Sequence, residues 1–414
     1  MTFSEWKKWL IGYPWDLRWF IIMVLIRPII DNLYFLKNIS PILSPPYIVG
    51  VLTPIFCLYG IYKYNTKNYM VRDTMLKMWF VLVGINTFCF MVYDPLNFVN
   101  WQFVLKLLMP VYLYFFIKIL IRTKRDLEGI LQTFLYSGIY VVVIFLYEII
   151  VSPIRVEASR GLERIQGNFA DVMNYGIYIG LGFISAGYFF TKSKKDTKDL
   201  VIIIGVSILC MLALMNIHHA ASYGTFMVLA IIFFHYNFKT VKLGAVILFI
   251  GASIAGLTLI SDQFFSETIE PVIKNDIEVY EGDRSEDQLL HGRVGRWKTM
   301  LDDFFRIPIL SQMFGMPTSF ANTSIFVSTA VHSDFFRISF FTGFVGIMFY
   351  LLYFFRVVLE AFRMHYTLRY LVLSCVAFLL LYSVTTTPTF YVPILYITLS
   401  VFCYVNKSSS YNNG

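Results

Sequence analysis

His332-Ser333 is followed, after nine intervening residues, by Gly343-Phe344-Val345-Gly346, where a hydrophilic segment carrying His, Asp and Arg runs into an apolar stretch. An imidazole titrates near neutrality and is therefore an efficient general base. Cations flank it: Arg284, Arg293, Arg296, Lys298 and Arg306 come before it and Arg337 just after. A second group, Arg155, Arg160 and Arg164, sits in SPIRVEASRGLERIQGNFAD at 151–170. A guanidinium is a planar fork that holds phosphate oxygens in pairs, so these residues suit an anion. The same segments are rich in acids, among them Glu267, Glu270, Asp276, Glu278, Glu281, Asp283, Glu286 and Asp287, and ion pairing with these is the alternative. Both readings stay open for each arginine.

The elements that must position these residues are membrane spans. Hydrophobic residues make up 57% of the 414, charged ones 14% and aromatics 18%, which is more apolar than a soluble chain of this length needs. A spanning helix takes roughly 20 mostly apolar residues. Candidate runs lie at 17–36, 42–62, 74–93, 98–121, 127–150, 171–190, 200–217, 220–236, 243–260, 335–359, 368–386 and 389–405. The expected architecture is all-α: a polytopic membrane bundle of about 12 transmembrane helices, forming one domain over 1–414, with a long extracytoplasmic loop at 261–334. No cleavable signal peptide is expected, because Lys37-Asn38 follows the first apolar run where a small-residue cleavage site would stand. The five cysteines, at 57, 89, 210, 375 and 403, fall in apolar runs without paired spacing, which points away from disulfides and metal.

Orientation follows from the short loops. Lys7/Lys8, Lys63/Lys67/Arg72, Arg122/Lys124/Arg125, Lys192/Lys194/Lys195/Lys198, Lys239/Lys242, Arg363/Arg369 and Lys407 fall on one side of a twelve-span arrangement. Asp94–Asn97, Asn216–Ser222 and Thr385–Pro388, on the other side, carry no Lys or Arg. The positive-inside rule places both termini in the cytoplasm and the segments at 151–170 and 261–334 outside. The net charge of +8 is then spread over separate cytoplasmic loops, and no nucleic-acid partner is expected.

Ionisable residues within spans are costly and mark function or pairing. Arg27 and Asp31, four apart, can pair on one helix face. Lys106, mid-run beside Pro110, is a candidate contact for a lipid phosphate. His218 and His219 stand on a short outer turn, at a cavity or at the interface, and His291 adjoins Gly292-Arg293. Asp302-Asp303 and Glu281-Gly282-Asp283 lack companion ligands, so no metal site is expected. Gly343 and Gly346, three apart, are expected on one helix face, letting the helix behind His332 approach its neighbours closely.

Four local patterns, in order, resemble the bacterial O-antigen ligase and O-antigen polymerase superfamily, which includes O-linked oligosaccharyltransferases. His332-Ser333, nine residues and Gly343-x-x-Gly346 resemble its His-(Asn/Ser/Gln)-x9-Gly-x-x-Gly signature. Gly292-Arg293-Val294-Gly295-Arg296-Trp297 resembles its Gly-Arg-x-x-x-Trp stretch. Ile307-Pro308 through Phe314-Gly315-Met316-Pro317 resembles its proline-then-glycine turn, with Pro317 where a second glycine is usual. Gly167-Asn168-Phe169 to Asn174 resembles its glycine-asparagine segment at the start of a span. After Asn216-Ile217-His218-His219 the chain departs from the family, reading Ala221-Ser222 where Ser-Arg is usual.

The resemblance implies transfer of a glycan from an undecaprenyl-diphosphate carrier to an acceptor hydroxyl at the outer face of the cytoplasmic (inner) membrane, without metal or cofactor. His332 would be the base and Arg293 the cation that meets the charge developing on the leaving diphosphate. Arg155, Arg160, Arg164, Arg296, Arg337 and Lys106 would bind substrate. The implied partners are the undecaprenyl-diphosphate-linked oligosaccharide, membrane lipid, a chain-length regulator and a flippase. Polymerase is preferred over ligase because the chain is divergent and polymerases diverge with their repeat units. A flippase for the same lipid is the competitor from another class. Its binding residues would lie near the midplane of repeated spans, and no internal repeat is visible here.

Overall fold

The structure, a computed structural model, describes residues 1–40, 44–64, 80–81, 83–85, 88, 98–159, 162–194, 196–217, 219–237, 274, 277–285, 289–315, 333–388 and 391–412. At 98–107, 157–159, 162–163, 172, 220, 289–293, 385 and 408–412 it describes the course of the backbone alone. Among the described residues the regular structure is helical apart from one two-stranded ribbon. The helices are α1 (Phe3–Ile11), α2 (Trp15–Asn32, continued by a 3-10 turn to Asn38), α3 (Pro45–Lys63), α4 (Phe98–Leu120), α5 (Lys124–Ile150), α6 (Val172–Lys192), α7 (Thr197–Ile217), α8 (Ala220–Asn237), α9 (Leu289–Arg306), α10 (Ile309–Phe314), α11 (Asp334–Phe362), α12 (Tyr366–Thr385) and α13 (Val392–Asn412). Strands β1 (Val156–Ser159) and β2 (Leu162–Ile165) lie between α5 and α6.

Six helices among the described residues are long and apolar enough to cross a membrane: Trp15–Asn38, Pro45–Lys63, Lys124–Ile150, Thr197–Ile217, Asp334–Phe362 and Tyr366–Val384. That is half of the twelve expected. The runs at 98–121 and 389–405 form α4 and α13, whose apolar stretches described with side chains are Leu108–Leu120 and Val392–Lys407. The runs at 171–190 and 220–236 form α6 and α8, which are not among the six. Helix α6 carries polar Asn174, Ser185 and Thr191 among its apolar residues, and all three are buried. The run at 243–260 and most of 74–93 lie outside the described residues.

The chain divides into two compact units. The first comprises Met1–Thr74, Leu105–Val241 and Tyr353–Gly414. Helix α6 is its hub, packing against α5, α7, α8, α12 and α13. The start of α5 is fixed by a capping box in which Thr123 and Asp126 satisfy each other's backbone donors. Asp126 also accepts from Trp9 Nε1 at 3.1 Å and Tyr13 Oη at 2.7 Å, and Trp6 Nε1 donates to Thr133 Oγ1 at 3.0 Å, so the amphipathic α1 is tied along α5. The second unit comprises Met75–Val104 and Lys242–Leu352. Its core is Met300 and Phe304 of α9 against Phe340 of α11, flanked by Ile307 and Phe336.

Candidate functional site

In the first unit the ribbon that carries the arginines of 151–170 is held at its base by buried side chains. Glu148, in the last turn of α5 and 1% exposed, accepts from the backbone N–H of Ile154 (3.1 Å) and of Gly167 (2.9 Å) with Oε1, and from Tyr175 Oη (2.6 Å) with Oε2. Both ends of the ribbon are thereby fixed to one carboxylate. Asn32, at the end of α2, accepts from Asn168 N–H at 2.8 Å and donates to Tyr140 Oη at 2.8 Å. Gly167 lies between these anchors with φ +59°, and a Cβ there would stand 3.1 Å from Tyr175 Oη and 3.3 Å from Asn32 Oδ1. The glycine is required both for its left-handed backbone and for the close approach.

One turn back along α2, Arg27 Nε pairs with Asp31 Oδ1 at 2.8 Å, both residues being buried. Asp31 Oδ2 accepts from Tyr178 Oη at 2.7 Å and Tyr391 Oη at 3.0 Å. The pairing expected from the spacing is present. The two tyrosines satisfy the carboxylate of this buried ion pair, the part whose desolvation would otherwise be costly. Helices α2, α5 and α6 and the residue just before α13 therefore meet through polar side chains near the base of the ribbon.

The ribbon register pairs Val156 with Ile165 and Glu157 with Arg164, and Gln166 N–H extends the ladder to the Arg155 carbonyl at 3.2 Å. Alternation along a strand puts positions 155, 157, 164 and 166 on one face and 156 and 165 on the other. Ile165 packs on the apolar cluster of Val141, Phe145, Phe169, Tyr175, Tyr178, Ala213 and Ile217. Arg155 is exposed, while Arg164 is half-buried with its Nε enclosed and without a hydrogen-bond partner among the described residues. Arg160 lies outside the described residues.

In the second unit three separated sequence patterns pack on one another. Trp297, which closes Gly292–Trp297, stacks on Phe336 of α11 at 6.3 Å between ring centroids. Gly315 ends α10 at φ +93°, and a Cβ on it would overlap the Phe341 carbonyl. Gly343 has φ +67° and ψ −172°, and a Cβ on it would overlap the Met313 carbonyl. The two glycines thus admit one another's backbones. This corrects the expectation for Gly343 and Gly346. Gly343 breaks α11 into 334–342 and 344–362, so the pair does not share a continuous helical face, while a Cβ at Gly346 would meet its own helix's Thr342 side chain. Close approach is the function of Gly343 alone, and it acts through a break.

Ser333 and Asp334, directly after His332, are 2% and 0% exposed, and Arg337 is half-buried within reach of the Asp334 charge. His332 itself lies outside the described residues. Arg293 and Arg296 both sit on α9; Arg296 is exposed, and at 293 the backbone alone is described. Lys106 is in α4 with only its backbone described. Arg284, in the acid-rich run, pairs with Glu278 at 2.7 Å.

His218 lies outside the described residues. His219 Nδ1 is 2.8 Å from Ser222 Oγ, which is 2.8 Å from Tyr382 Oη, so the start of α8 is tied to α12. Sequence reasoning passed over Glu148, Asn32, Tyr175 and Tyr391. Glu148 carried a readable signal, an acid at the end of an apolar run. No protein-family model and no curated protein matches the chain.

Proposed function

We propose that this protein is a metal-independent polymerase of lipid-linked oligosaccharide repeat units, working at the outer face of the cell's inner membrane on undecaprenyl-diphosphate-linked glycans. The observation that carries the reading is the packing of 292–297, 307–315 and 333–346 within one unit. Each stretch resembles a family pattern, and the third meets the other two: Trp297 stacks on Phe336, and Gly315 and Gly343 allow the end of α10 and the break in α11 to approach closely.

In the reaction, the imidazole of His332 takes the proton of the acceptor sugar hydroxyl as its oxygen bonds to the anomeric carbon of the donor. The bond from that carbon to the diphosphate oxygen breaks, and the carrier diphosphate leaves with the electron pair. Arg293 meets the charge gathering on it, a contribution that is large when the cation is already in place. Arg155, Arg160, Arg164, Arg296, Arg337 and Lys106 serve binding, and the membrane lipid, a flippase and a chain-length regulator are the partners this chemistry calls for. The ribbon's fixed base supports that role, because a guanidinium fork gains most when little motion is lost on binding.

A deletion strain tests the reading through its surface polysaccharide. Loss of the polymerase leaves lipid A core bearing a single repeat unit, since export and ligation continue. Bare core with polymer accumulated on the carrier would instead make the protein a ligase, and repeat unit trapped on the cytoplasmic face would make it a flippase.

A further inference from the structure

Exposed apolar side chains gather where α9 ends and α10 begins, in the second unit. Met300 and Phe304 are buried against α11, yet Leu301 and Phe305 beside them are exposed, and so are Ile309, Leu310, Met313 and Phe314. Gln312 Nε2 donates to the carbonyls of Phe305 at 3.1 Å and Ile307 at 2.8 Å, which folds α10 back on the end of α9 and makes these side chains one patch. Single exposed apolar residues are ordinary, whereas a contiguous patch marks an interaction surface.

The place of the patch along α11 says what covers it. Contacts between α9 and α11 advance together: Trp297 stacks on Phe336, and Phe304 meets Phe340 and Phe344, each at 5.0 Å between ring centroids. Helix α9 therefore runs beside the first segment of α11 in the same direction, and α10 ends at the Gly343 break. Past the break, 344–362 is about 28 Å long at 1.5 Å per residue, close to a hydrocarbon core of roughly 30 Å. Its Phe344, Met348, Leu351, Phe355 and Leu359 are exposed at helical spacing, the stripe of a spanning helix that faces lipid. Phe305 lies 6.2 Å from Phe344 between ring centroids, so the patch continues that stripe at its end.

We propose that the break in α11 lies at the membrane surface, and that the end of α9 with α10 is a foot seated in the phospholipid leaflet there, at the boundary of headgroups and acyl chains. Arg306, exposed at the same end of α9, lays its stem on the apolar surface and keeps its guanidinium at the lipid phosphates, while exposed Asp302, one turn back, stays in water. The segment at 334–342 is then outside the hydrocarbon, and it is about 13 Å long. Asp334 stands no further than that from the break, and Trp297, stacked on Phe336, is held at the same level. The foot thus sets the height of this unit above the lipid, whatever reaction the unit performs.

The test uses the full-length protein, its native cysteines replaced by alanine, in vesicles of phosphatidylethanolamine and phosphatidylglycerol. One nitroxide is attached at Leu310→Cys, Met313→Cys, Phe344→Cys or Lys298→Cys, and its collisions with oxygen, which concentrates among acyl chains, are compared with those of a water-soluble nickel chelate. Labels at 310 and 313 are expected about 5–10 Å below the phosphates, with 344 at that depth or deeper and 298 in water. Leu310 and Lys298 are both exposed, so their replacement leaves the core intact and this pair decides the outcome. Nickel collisions at 310 as frequent as at 298 would put the patch in water and overturn the proposal; with 344 still deep, α11 would remain a span without a foot. Exclusion of both reagents at 310 and 313 would show the patch covered by protein, which overturns the proposal equally.

Discussion

At the scale of single residues, the ribbon depends on Glu148. Glu148→Ala strands the buried Gly167 N–H, the part-buried Ile154 N–H and the Tyr175 hydroxyl, and should cost about 3 kcal/mol, read as a lowered melting temperature in detergent and faster proteolysis within 151–170. Glu148→Gln keeps an acceptor and should lose less; equal stability of Glu148→Ala and the parent would remove the anchor. Among the arginines, Arg164→Ala and Arg293→Ala should reduce polymer formation more than Arg284→Ala, because Arg284 is already engaged by Glu278 at 2.7 Å. Lysine at 164 or 293 should rescue poorly, since the fork is lost. Arg284→Ala as the most damaging of the three would contradict this ranking. The Arg27–Asp31 pair was legible because helical spacing fixes it locally. Glu148 and Asn32 were not used, because their partners at 167 and 168 lie in the turn after the ribbon and that at 175 lies in α6, and no spacing rule connects them.

At the scale of elements, the break in α11 matters most. Helical periodicity read Gly343 and Gly346 as one packing face, and the structure places Gly343 at positive φ against the end of α10. A lone glycine in an apolar run carries no mark that separates a packing glycine from a breaking one; the difference lies in the partner, Gly315, which is distant in sequence. Gly343→Ala adds a strained backbone and a clash with Met313, together about 2–3 kcal/mol. Gly315→Ala disrupts the same contact from the other side. The double variant should therefore cost clearly less than the sum of the two, since both remove one interaction. Strict additivity in melting experiments would separate the two glycines. The ribbon was similarly hidden, because 151–170 reads as a polar loop and its strands are only four residues each.

At the scale of the whole molecule, composition gave a helical chain of apolar spans, and six such helices are present among the described residues. The central helix α6, read from its apolar content, also ties helices together through Tyr175 to Glu148, Tyr178 to Asp31 and Tyr188 to Glu128, and those partners on other helices are not visible along one run of sequence. The charge asymmetry of the loops predicts an orientation that labelling can read: a cysteine at Lys194 should react with an impermeant maleimide only from the cytoplasmic side, and one at Arg155 only from outside. The reverse pattern would put the ribbon on the wrong side for a translocated substrate. The central claim, that the chain joins lipid-linked repeat units, is tested most directly with the purified protein in proteoliposomes supplied with undecaprenyl-diphosphate-linked repeat units. The polymerase reading predicts a ladder of lengthening glycans, with one undecaprenyl diphosphate released for each unit added, and no ladder from His332→Ala. Units that cross the bilayer or stay intact without being joined by the parent protein would contradict it.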